Sequence, residues 1–397
     1  MPPSAFLHPM ASPAAGEFTT IARGEGAAVW DAQGRRYVDA VASMWYCNAG
    51  HGQRAIADAV AAQLRALDTF TTFERFTNEP AERLCATLAE LAPMDDARVF
   101  LASGGSEAVE MALKLARLVH QAAGEPERRL VVARPPSFHG VTEATMAATG
   151  TIEAPGFVHV DRDDLGAVRA LFAEHGHEVA AFLVEPVICA GGVFPPAPGY
   201  LEGVRALCDE HGALLVFDEI VTAFGRLGAW WGAQRFGVVP DLATFAKGVS
   251  SGVLPLGGVV VASRVHEPLA QEGSMLDGYT YSGHPVTCAA AQANIEVLGE
   301  QGLLERADPI GERLAAGLAA LQREGLIAGA RGVGAIHAAE LQGGDAAPEV
   351  RERMLDRGVI ARPIGERTIA FCPPLVIGDE DLDRCVEALE ASLRAGG

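Results

Sequence analysis

The sequence predicts an α/β fold, with a mostly parallel sheet in a large domain joined to a smaller α+β domain. Apolar runs of strand length alternate with helical patterns from about residue 99 to residue 261, which is typical of parallel strands joined by crossover helices. The run Leu214–Phe217 is continuously apolar, as in a central strand covered on both faces. After residue 300 the predicted strands are short and mix with helices. We therefore expect residues 1–50 to begin the small domain, 51–285 to form the large domain, and 286–397 to supply a linking helix and the rest of the small domain.

Length, charge and cysteine content narrow the class of protein. The 397 residues suffice for a large core and two domains, and a content of 49% hydrophobic and 21% charged residues indicates a globular chain. The formal net charge of −20, from 31 basic and 51 acidic residues, argues against nucleic-acid binding. The seven cysteines are odd in number and form no Cys-x-x-Cys, so neither a disulfide framework nor a metal site is indicated.

Two observations bear on the compartment. The first residues, Met1–Pro9, lack the basic and apolar regions of a signal peptide. The most apolar run, Val253–Ala262, is too short to span a bilayer. We expect a cytoplasmic protein that does not enter the membrane.

The N-terminal part combines a hairpin with a candidate pocket wall. Two short predicted strands, Ala28–Asp31 and Arg36–Val41, flank a turn that contains glycine. Trp45 and Tyr46 follow, beside a Gly-His-Gly turn. Adjacent aromatic side chains at such a place either line a substrate pocket or plug the core beneath a helix.

Two helices are predicted next. A helical period begins at residue 53, and its apolar positions would form one face, namely Ile56, Val60, Leu64 and Leu67. A second helix follows Pro80, since proline is well placed in a first helical turn.

A glycine-rich turn then joins a strand to a helix. Val99–Leu101 is a predicted strand, followed by Ser-Gly-Gly-Ser at 103–106 and a clear amphipathic helix. Gly105 and Ser106 thus lie where free backbone N–H groups and the positive end of a helix dipole can bind a phosphate. The alternative is that Ser106 is an ordinary N-cap of the helix.

An aromatic residue, a histidine and an acid follow the next two strands. Arg129–Ala133 is a predicted strand that leads to Phe138, whose ring can stack on a planar cofactor or anchor its loop. His139 has no second histidine at a metal-ligand spacing, so a structural role is its ordinary interpretation. Val179–Val184 is an apolar strand that ends at Glu185.

The strongest chemical signal is an acid and a lysine at the ends of two successive strands. The run from Leu214 ends at Asp218, and a second apolar strand, Asp241–Ala246, ends at Lys247. Ligands of an open α/β sheet bind at the carboxyl ends of its strands, so we expect both side chains there. Pyridoxal phosphate chemistry uses this pair, because a lysine holds the aldehyde as a Schiff base and an aspartate keeps the pyridine nitrogen protonated. The alternative is a surface lysine and a helix-capping aspartate.

The C-terminal part supplies one further candidate. A long helix begins at Pro285, short strands are predicted at 335–341, 359–362 and 368–371, and a final helix begins at Asp379. Arg362 lies at a strand end, where it is either an ordinary surface arginine or a carboxylate clamp.

Five separated motifs resemble, in their order and spacing, those of the class III, or omega, aminotransferases among the fold-type I pyridoxal-phosphate enzymes. They are Ser-Gly-Gly-Ser-Glu-Ala (103–108), Phe-His-Gly (138–140), Phe-Asp-Glu-Ile (217–220), Phe-Ala-Lys-Gly (245–248) and Thr-Tyr-Ser-Gly-His-Pro (280–285). The similarity extends from Trp30-Asp31 to Pro373-Pro374-Leu375, nearly the whole chain. It implies a fold-type I transferase whose large domain binds pyridoxal 5'-phosphate.

The resemblance also implies roles for individual residues. Lys247 is expected to form the Schiff base and to move the proton, and Asp218 to pair with the pyridine nitrogen. The remaining expected cofactor-binding residues are Gly105 and Ser106 at the phosphate, Phe138 and Ile220 on the two ring faces, Glu185 on the ring-hydroxyl side, and His139. Thr280 is expected to reach the phosphate of the partner subunit's cofactor, which implies a homodimer. Arg362 matches an arginine that receives the substrate carboxylate, and Trp45 an aromatic on the pocket wall.

The chain departs from the usual family pattern at two places. The stacking position is commonly tyrosine, and Phe138 lacks that hydroxyl. The phosphate loop has Ser-Gly-Gly-Ser where Asn-Ser-Gly-Ser or Asn-Ser-Gly-Thr is more usual, so backbone donors remain while side-chain contacts differ.

The expected reaction transfers an amino group from an amine or ω-amino acid donor to a keto acid. The same family contains diaminononanoate-type transaminases that use S-adenosylmethionine, decarboxylases, aminomutases and epimerases, and these are the alternatives. A nicotinamide-dependent dehydrogenase is disfavoured, because no Gly-x-Gly-x-x-Gly opens a helix after a first strand. A non-catalytic binding protein is disfavoured too, because a scaffold needs no buried lysine beside an acid. The aromatic residues at 45, 46 and 138 indicate a partly aromatic pocket without identifying the donor.

Overall fold

The structure is a computed structural model that describes residues 5–14, 16, 18–273, 277–344 and 346–396. Its strands are β1 Ile21–Glu25, β2 Ala28–Asp31, β3 Arg36–Asp39, β4 Arg98–Ala102, β5 Leu130–Ala133, β6 Phe157–His159, β7 Val179–Val184, β8 Leu214–Asp218, β9 Leu242–Phe245, β10 Gly257–Val261, β11 Ile327–Val333, β12 Ile336–Leu341, β13 Val359–Ile360, β14 Arg362–Ile364 and β15 Thr368–Phe371. Its helices are α1 Ala42–Trp45, α2 Arg54–Ala66, α3 Glu79–Leu91, α4 Gly105–Ala122, α5 Glu143–Thr149, α6 Leu165–His175, α7 Tyr200–His211, α8 Gly232–Phe236, α9 Ser263–Glu272, α10 Pro285–Glu300, α11 Ala307–Arg323, α12 Ala347–Asp356 and α13 Asp379–Arg394.

The central sheet has seven strands in the order β4-β10-β9-β8-β7-β5-β6. Strands β9, β8, β7, β5 and β6 are parallel to one another, whereas β10 runs antiparallel to both β4 and β9. All residues of β7 and β8 are buried, as their continuous apolar runs predict. The prediction of a mostly parallel sheet in an α/β fold is therefore confirmed.

The register of two neighbouring strands positions the predicted catalytic pair. Asp218, the last residue of β8, pairs with Thr244 of β9, and β9 ends one residue later at Phe245. Lys247 lies two residues beyond that end. The carboxyl ends of these two strands therefore bring the acid and the lysine to the same edge of the sheet.

The described part of the chain contains two further sheets, each of four strands. One has the order β1-β2-β3-β13, so the N-terminal hairpin pairs with a strand from near the C-terminus. The other, β11-β12-β15-β14, is antiparallel throughout. The division of the chain after residues 50 and 285 stays a prediction.

The apolar face predicted for α2 is covered by the described part of the chain only in its first half. Ile56 is buried, but Leu64 and Leu67 are 53% and 37% exposed. The end of α2 leads into a segment with exposed aromatic side chains instead of the core, namely Phe70, Phe73 and Phe76. Helical period alone reports which side chains share a face, and not whether other parts of the chain cover that face.

Of the helices described, none has the length and apolar content needed to cross a membrane.

Candidate active site

Lys247 and Asp218 line one cavity of about 190 Å³ at the carboxyl edge of the central sheet. The other lining residues are Gly105, Ser106, Phe138, His139, Gly140, Glu185, Ala190, Ile220, Val221 and Ala246. The structure thus gathers all the predicted cofactor-binding residues except Thr280 around a single space. They come from the ends of β7, β8 and β9, the start of α4 and the loop after β5.

Lys247 is half-buried. Desolvation by the surrounding protein lowers the pKa of Lys247, while Cys189, Asp218 and Glu185 act in the opposite direction. A lysine whose pKa is lowered holds more of its neutral form near neutral pH, and the neutral amine is the nucleophile and proton acceptor. Its backbone has φ of +44°, in the left-handed region that residues with side chains rarely adopt.

Asp218 is buried, and its carboxylate contacts the side chain of a histidine. Its Oδ2 lies 2.7 Å from Nδ1 of His139, and its Oδ1 accepts hydrogen bonds from the Ile220 N–H at 3.2 Å and the Thr244 hydroxyl at 3.4 Å. The His139 side chain is inaccessible to solvent. His139 therefore contacts the acid directly, which restricts how the carboxylate can turn.

Glu185 fixes the loop that carries the candidate stacking ring. Its Oε1 accepts from the backbone N–H of Phe138 at 3.1 Å, and its Oε2 from that of Cys189 at 3.0 Å. Burial raises the pKa of Glu185, and the neighbouring Asp218 raises it further. Phe138 is 47% exposed and borders the cavity.

The start of α4 is suited to a phosphate. Its N-cap is Gly104, which provides no side-chain acceptor for the first N–H groups of the helix. A β-carbon added at Gly105 would lie 2.9 Å from Ile220 Cδ1, and one added at Gly140 would lie 2.5 Å from Ser106 Oγ. The two glycines therefore allow the helix start to pack closely against Ile220, and the loop after Phe138 to pack closely against Ser106. Backbone donors without a capping side chain fit an anionic ligand.

Ser106 is not the N-cap, so that alternative is wrong. It is the second residue of α4, and its hydroxyl accepts from the backbone N–H of Val141 at 3.1 Å. This contact ties the helix start to the loop after Phe138.

Three predicted residues lie outside the lining of the cavity. Trp45 is 4% exposed and packs in an apolar cluster with Cys189 and Cys372, among others. Arg362 is half-buried, its Nη2 lies 3.5 Å from Sδ of Met10, and burial lowers the pKa of its guanidinium. Thr280 is exposed. Their predicted roles stay predictions.

Sequence reasoning missed a polar clamp beneath the candidate pocket wall. Asp39 accepts from the backbone N–H of Ser43 at 2.8 Å, and its carboxylate lies 2.9 Å from Nε2 of His51. Hydrogen bonding to Asp39, and then to Cys47, raises the pKa of His51 to about 10. The clamp holds a turn in which both Ser43 and Trp45 have positive φ. The Gly-His-Gly sequence was a visible signal for a turn, but not for this ion pair.

Glu219 was also missed, although it directly follows Asp218. Its carboxylate is fully buried and accepts from the Thr222 hydroxyl at 2.6 Å and from the N–H groups of Gly232 and Ala233 at 2.6 and 2.7 Å. Burial raises the pKa of Glu219 to about 7. Glu219 thus holds the start of α8 rather than a ligand.

The chain belongs to the class-III aminotransferase family, whose model matches residues 10–393. It is 33% identical to the putrescine–pyruvate aminotransferase of Pseudomonas aeruginosa, over 92% of this chain and 88% of that one. The crystal structure of a transaminase from the marine bacterium Virgibacillus superposes with a TM-score of 0.94 at 33% identity, covering 98% of this chain and 97% of the other. An amine transaminase from an uncultivated Pseudomonas species, in its pyridoxal-phosphate-bound form, gives 0.93 at 31% identity and 99% coverage of both chains.

Family membership establishes the class of reaction and the cofactor. The protein is an aminotransferase with the fold-type I architecture, and it uses pyridoxal 5'-phosphate to transfer an amino group. In the described residues, no group of three or more histidine, cysteine, aspartate or glutamate side chains is arranged to hold a metal ion.

Proposed function

We propose that Lys247 and Asp218 are the catalytic residues of this aminotransferase. The observation that carries the proposal is their meeting in one cavity of about 190 Å³ with the uncapped start of α4 and the ring of Phe138. When bound, pyridoxal phosphate supplies an electron sink for negative charge on the carbon that bears the amino group. Lys247 would hold its aldehyde and Asp218 its pyridine nitrogen, with Gly105 and Ser106 at the phosphate.

The other lining residues would orient the ring. Phe138 and Ile220 border the cavity and would pack on its two faces, while Glu185 fixes the backbone of Phe138 on the ring-hydroxyl side. His139 would act through Asp218, which it contacts at 2.7 Å.

Lys247 would also move the proton. With its pKa lowered by burial, Nζ can accept the proton of the donor carbon and later return it. General acid–base catalysis of this kind contributes roughly 10²–10⁴ in rate.

An unusual feature of the composition makes the lysine assignment easy to test, since lysine occurs only at positions 114 and 247. Reduction of the cofactor-loaded enzyme with borohydride should leave the cofactor on the peptide that contains Lys247. Lys114 is the matched control, because it is exposed and ion-paired with Asp277. We expect Lys247→Ala to lose roughly 10²-fold or more of turnover, and Lys114→Ala to keep it. An adduct at Lys114, or full turnover without Lys247, refutes the assignment.

We propose an amine or ω-amino acid as donor and a keto acid as acceptor. The P. aeruginosa relative is named for putrescine and pyruvate, and other relatives are named for acetylornithine and β-alanine. The test mixes the cofactor-loaded enzyme with each of these donors and no acceptor. Stoichiometric pyridoxamine phosphate and free carbonyl product support transamination. Release of carbon dioxide, or an isomerised or epimerised amine, supports the alternatives. S-adenosylmethionine joins pyruvate and 2-oxoglutarate in the acceptor panel.

Arg362 is proposed as the clamp for the substrate carboxylate and Trp45 as part of the pocket wall. Among the described residues, no carboxylate lies within ion-pair distance of Arg362, so its charge is available to a ligand. The Asp39–His51 clamp holds the turn that carries Trp45.

We propose a homodimer in which Thr280 serves the partner subunit's cofactor. Thr280 is exposed, and exposed large apolar side chains lie in the segment after α2 and at Tyr281. If sites are shared, mixing Lys247→Ala and Thr280→Ala subunits restores one intact site per hybrid dimer. Cofactor affinity in the hybrid should then exceed that of the Thr280→Ala dimer. A monomer in sedimentation, or a hybrid that binds no better, contradicts the proposal.

We also propose a cytoplasmic location and a division of the chain into two domains. All seven cysteines are free, which suits the reducing cytoplasm. The pairing of β13 with β3 supports the assignment of residues 1–50 and 286–397 to one small domain, with 51–285 as the large one.

A further inference from the structure

The turn that begins at Lys247 has an unusual backbone. Lys247 has φ of +44° and Ser251 has φ of +48°, both in the left-handed region. Residues with a β-carbon stay in this region only when the surrounding structure holds them there, and such residues concentrate at active sites. Other groups must therefore hold this turn in place.

Asn294, which lies within α10, donates hydrogen bonds to the turn. Its Nδ2 donates to two consecutive carbonyl oxygens of the turn, those of Gly248 at 2.8 Å and Val249 at 2.9 Å. Asn294 is completely buried. A buried amide is costly unless it is satisfied, and here both amide hydrogens are directed at the residues next to the lysine.

Ser251 completes the arrangement. Its hydroxyl donates to Oδ1 of Asn294 at 2.6 Å, which fixes the orientation of the amide. The same Ser251 oxygen accepts from the backbone N–H of Ala49 at 3.0 Å. The turn is therefore linked through one serine to the segment that follows Trp45.

On the opposite side of the turn, the side chain of Asn48 packs against the backbone. A β-carbon added at Gly248 would lie 2.5 Å from Nδ2 of Asn48, so the backbone has no room to relax in that direction. The Asn48 amide is itself held, since it donates to the Phe224 carbonyl at 2.9 Å and accepts from Arg226 at 2.5 Å. The turn is thus held on one side by hydrogen bonds and on the other by contact.

We propose that Asn294, oriented by Ser251, is a positioning residue that keeps the backbone of Lys247 in its left-handed conformation and so aims Nζ into the cavity. This inference rests on the proposed role of Lys247. A shift of the lysine amine by a fraction of an ångström changes the alignment on which proton transfer depends.

The test compares three variants in the complete protein. Asn294→Ala removes both donations to the turn, and Ser251→Ala removes the orienting bond. Ser392→Ala is the matched control, because Ser392 is equally buried and donates one bond of 2.6 Å, to the Ala388 carbonyl in α13. Unfolding midpoints of all three show how much stability each change removes.

The first readout needs neither cofactor nor turnover. In the cofactor-free protein, reductive methylation of Lys247 is measured by mass spectrometry against Lys114 as internal reference. We expect Asn294→Ala to raise the ratio of Lys247 to Lys114 modification by about threefold or more, because a released turn opens to solvent. Ser251→Ala should give a smaller rise, and Ser392→Ala none.

The second readout is the rate of the first half-reaction at saturating donor. We expect Asn294→Ala to lower it about tenfold, with the half-saturating donor concentration changed less than about twofold. If Asn294→Ala leaves both readouts at the values of Ser392→Ala while lowering the unfolding midpoint, Asn294 is only a core residue and the inference fails. If Asn294→Ala does not fold, Ser251→Ala decides by the same two readouts. If the wild type forms no borohydride adduct at Lys247, the proposed function is refuted. The methylation ratio is measured without cofactor, so it would still report on the role of Asn294.

Discussion

Replacing Glu219 by glutamine should change how the stability of the protein depends on pH. The carboxyl group is fully buried, and burial raises its pKa from 4.5 to about 7, against the opposing hydrogen bonds from Thr222, Ala233 and Gly232. Glutamine has nearly the same shape, but only its single amide oxygen can accept, so it keeps either the bonds from Gly232 and Thr222 or the bond from Ala233. It carries no charge at any pH.

The sign and size of the effect follow from the two pKa values. Below pH 4.5 the carboxyl group of Glu219 is protonated in both the folded and the unfolded chain, so it adds no pH dependence. Above pH 4.5 the unfolded chain loses this proton while the folded chain keeps it up to about pH 7. The free energy of unfolding therefore falls as pH rises through this window, by up to ~3 kcal/mol. Above pH 7 the loss is complete and the curve is level again with respect to this group.

The assay is urea denaturation of the cofactor-free protein at half-unit steps from pH 4.5 to pH 8. We expect the stability of Glu219→Gln relative to wild type to rise across this range, with most of the change between pH 5 and 7. Glu210→Gln, at an exposed position in α7, is the control and should follow the wild-type curve. Parallel curves for wild type and Glu219→Gln would falsify the argument, since they would mean that Glu219 ionises alike in both states.

Two further predictions follow from the site and the fold. Burial lowers the pKa of His337 from 6.5 to about 4, so the folded state is stabilised above pH 6.5 and loses up to ~3 kcal/mol as pH falls towards 4. His337→Asn should remove that acid-side slope in the same denaturation series, and an unchanged slope contradicts the assignment to His337. Arg362→Leu should raise KM by about 10-fold or more for donors that carry a carboxylate, and by less than about twofold for amines without one. Steady-state kinetics with matched donor pairs checks this, and an equal loss for both donor types would exclude a carboxylate clamp.

The class of fold and the cofactor could be predicted from the amino-acid sequence. Continuous apolar runs such as Leu214–Phe217 can be stable only when both faces of the strand are covered, which requires a parallel sheet between helices. In such a sheet the residues after each strand meet at one edge, so Glu185, Asp218 and Lys247 could be predicted as neighbours. Local patterns carry this information because strand and helix periods are properties of short segments.

The partner of each buried polar group could be identified only from the three-dimensional structure. His139 contacts Asp218, Glu185 accepts from the backbone of Phe138, and Asn294 donates to the turn after Lys247. Each contact joins residues far apart in the chain, and no period or motif reports such distances. A buried polar group must find a partner in whatever surrounds it, so its role depends on the packing of the whole fold.

The same reason explains the features that sequence reasoning misplaced. The helical period placed Leu64 on an apolar face, but no described part of the chain covers it. The start of α4 suggested Ser106 as N-cap, but the cap is Gly104 and the serine bonds to Val141. The sequence predicts which side chains share one face of a helix or strand, because that arrangement depends on local backbone geometry. What lies opposite them is decided by the packing of distant segments, and for Lys247 that packing supplies the hydrogen bonds that hold its strained backbone.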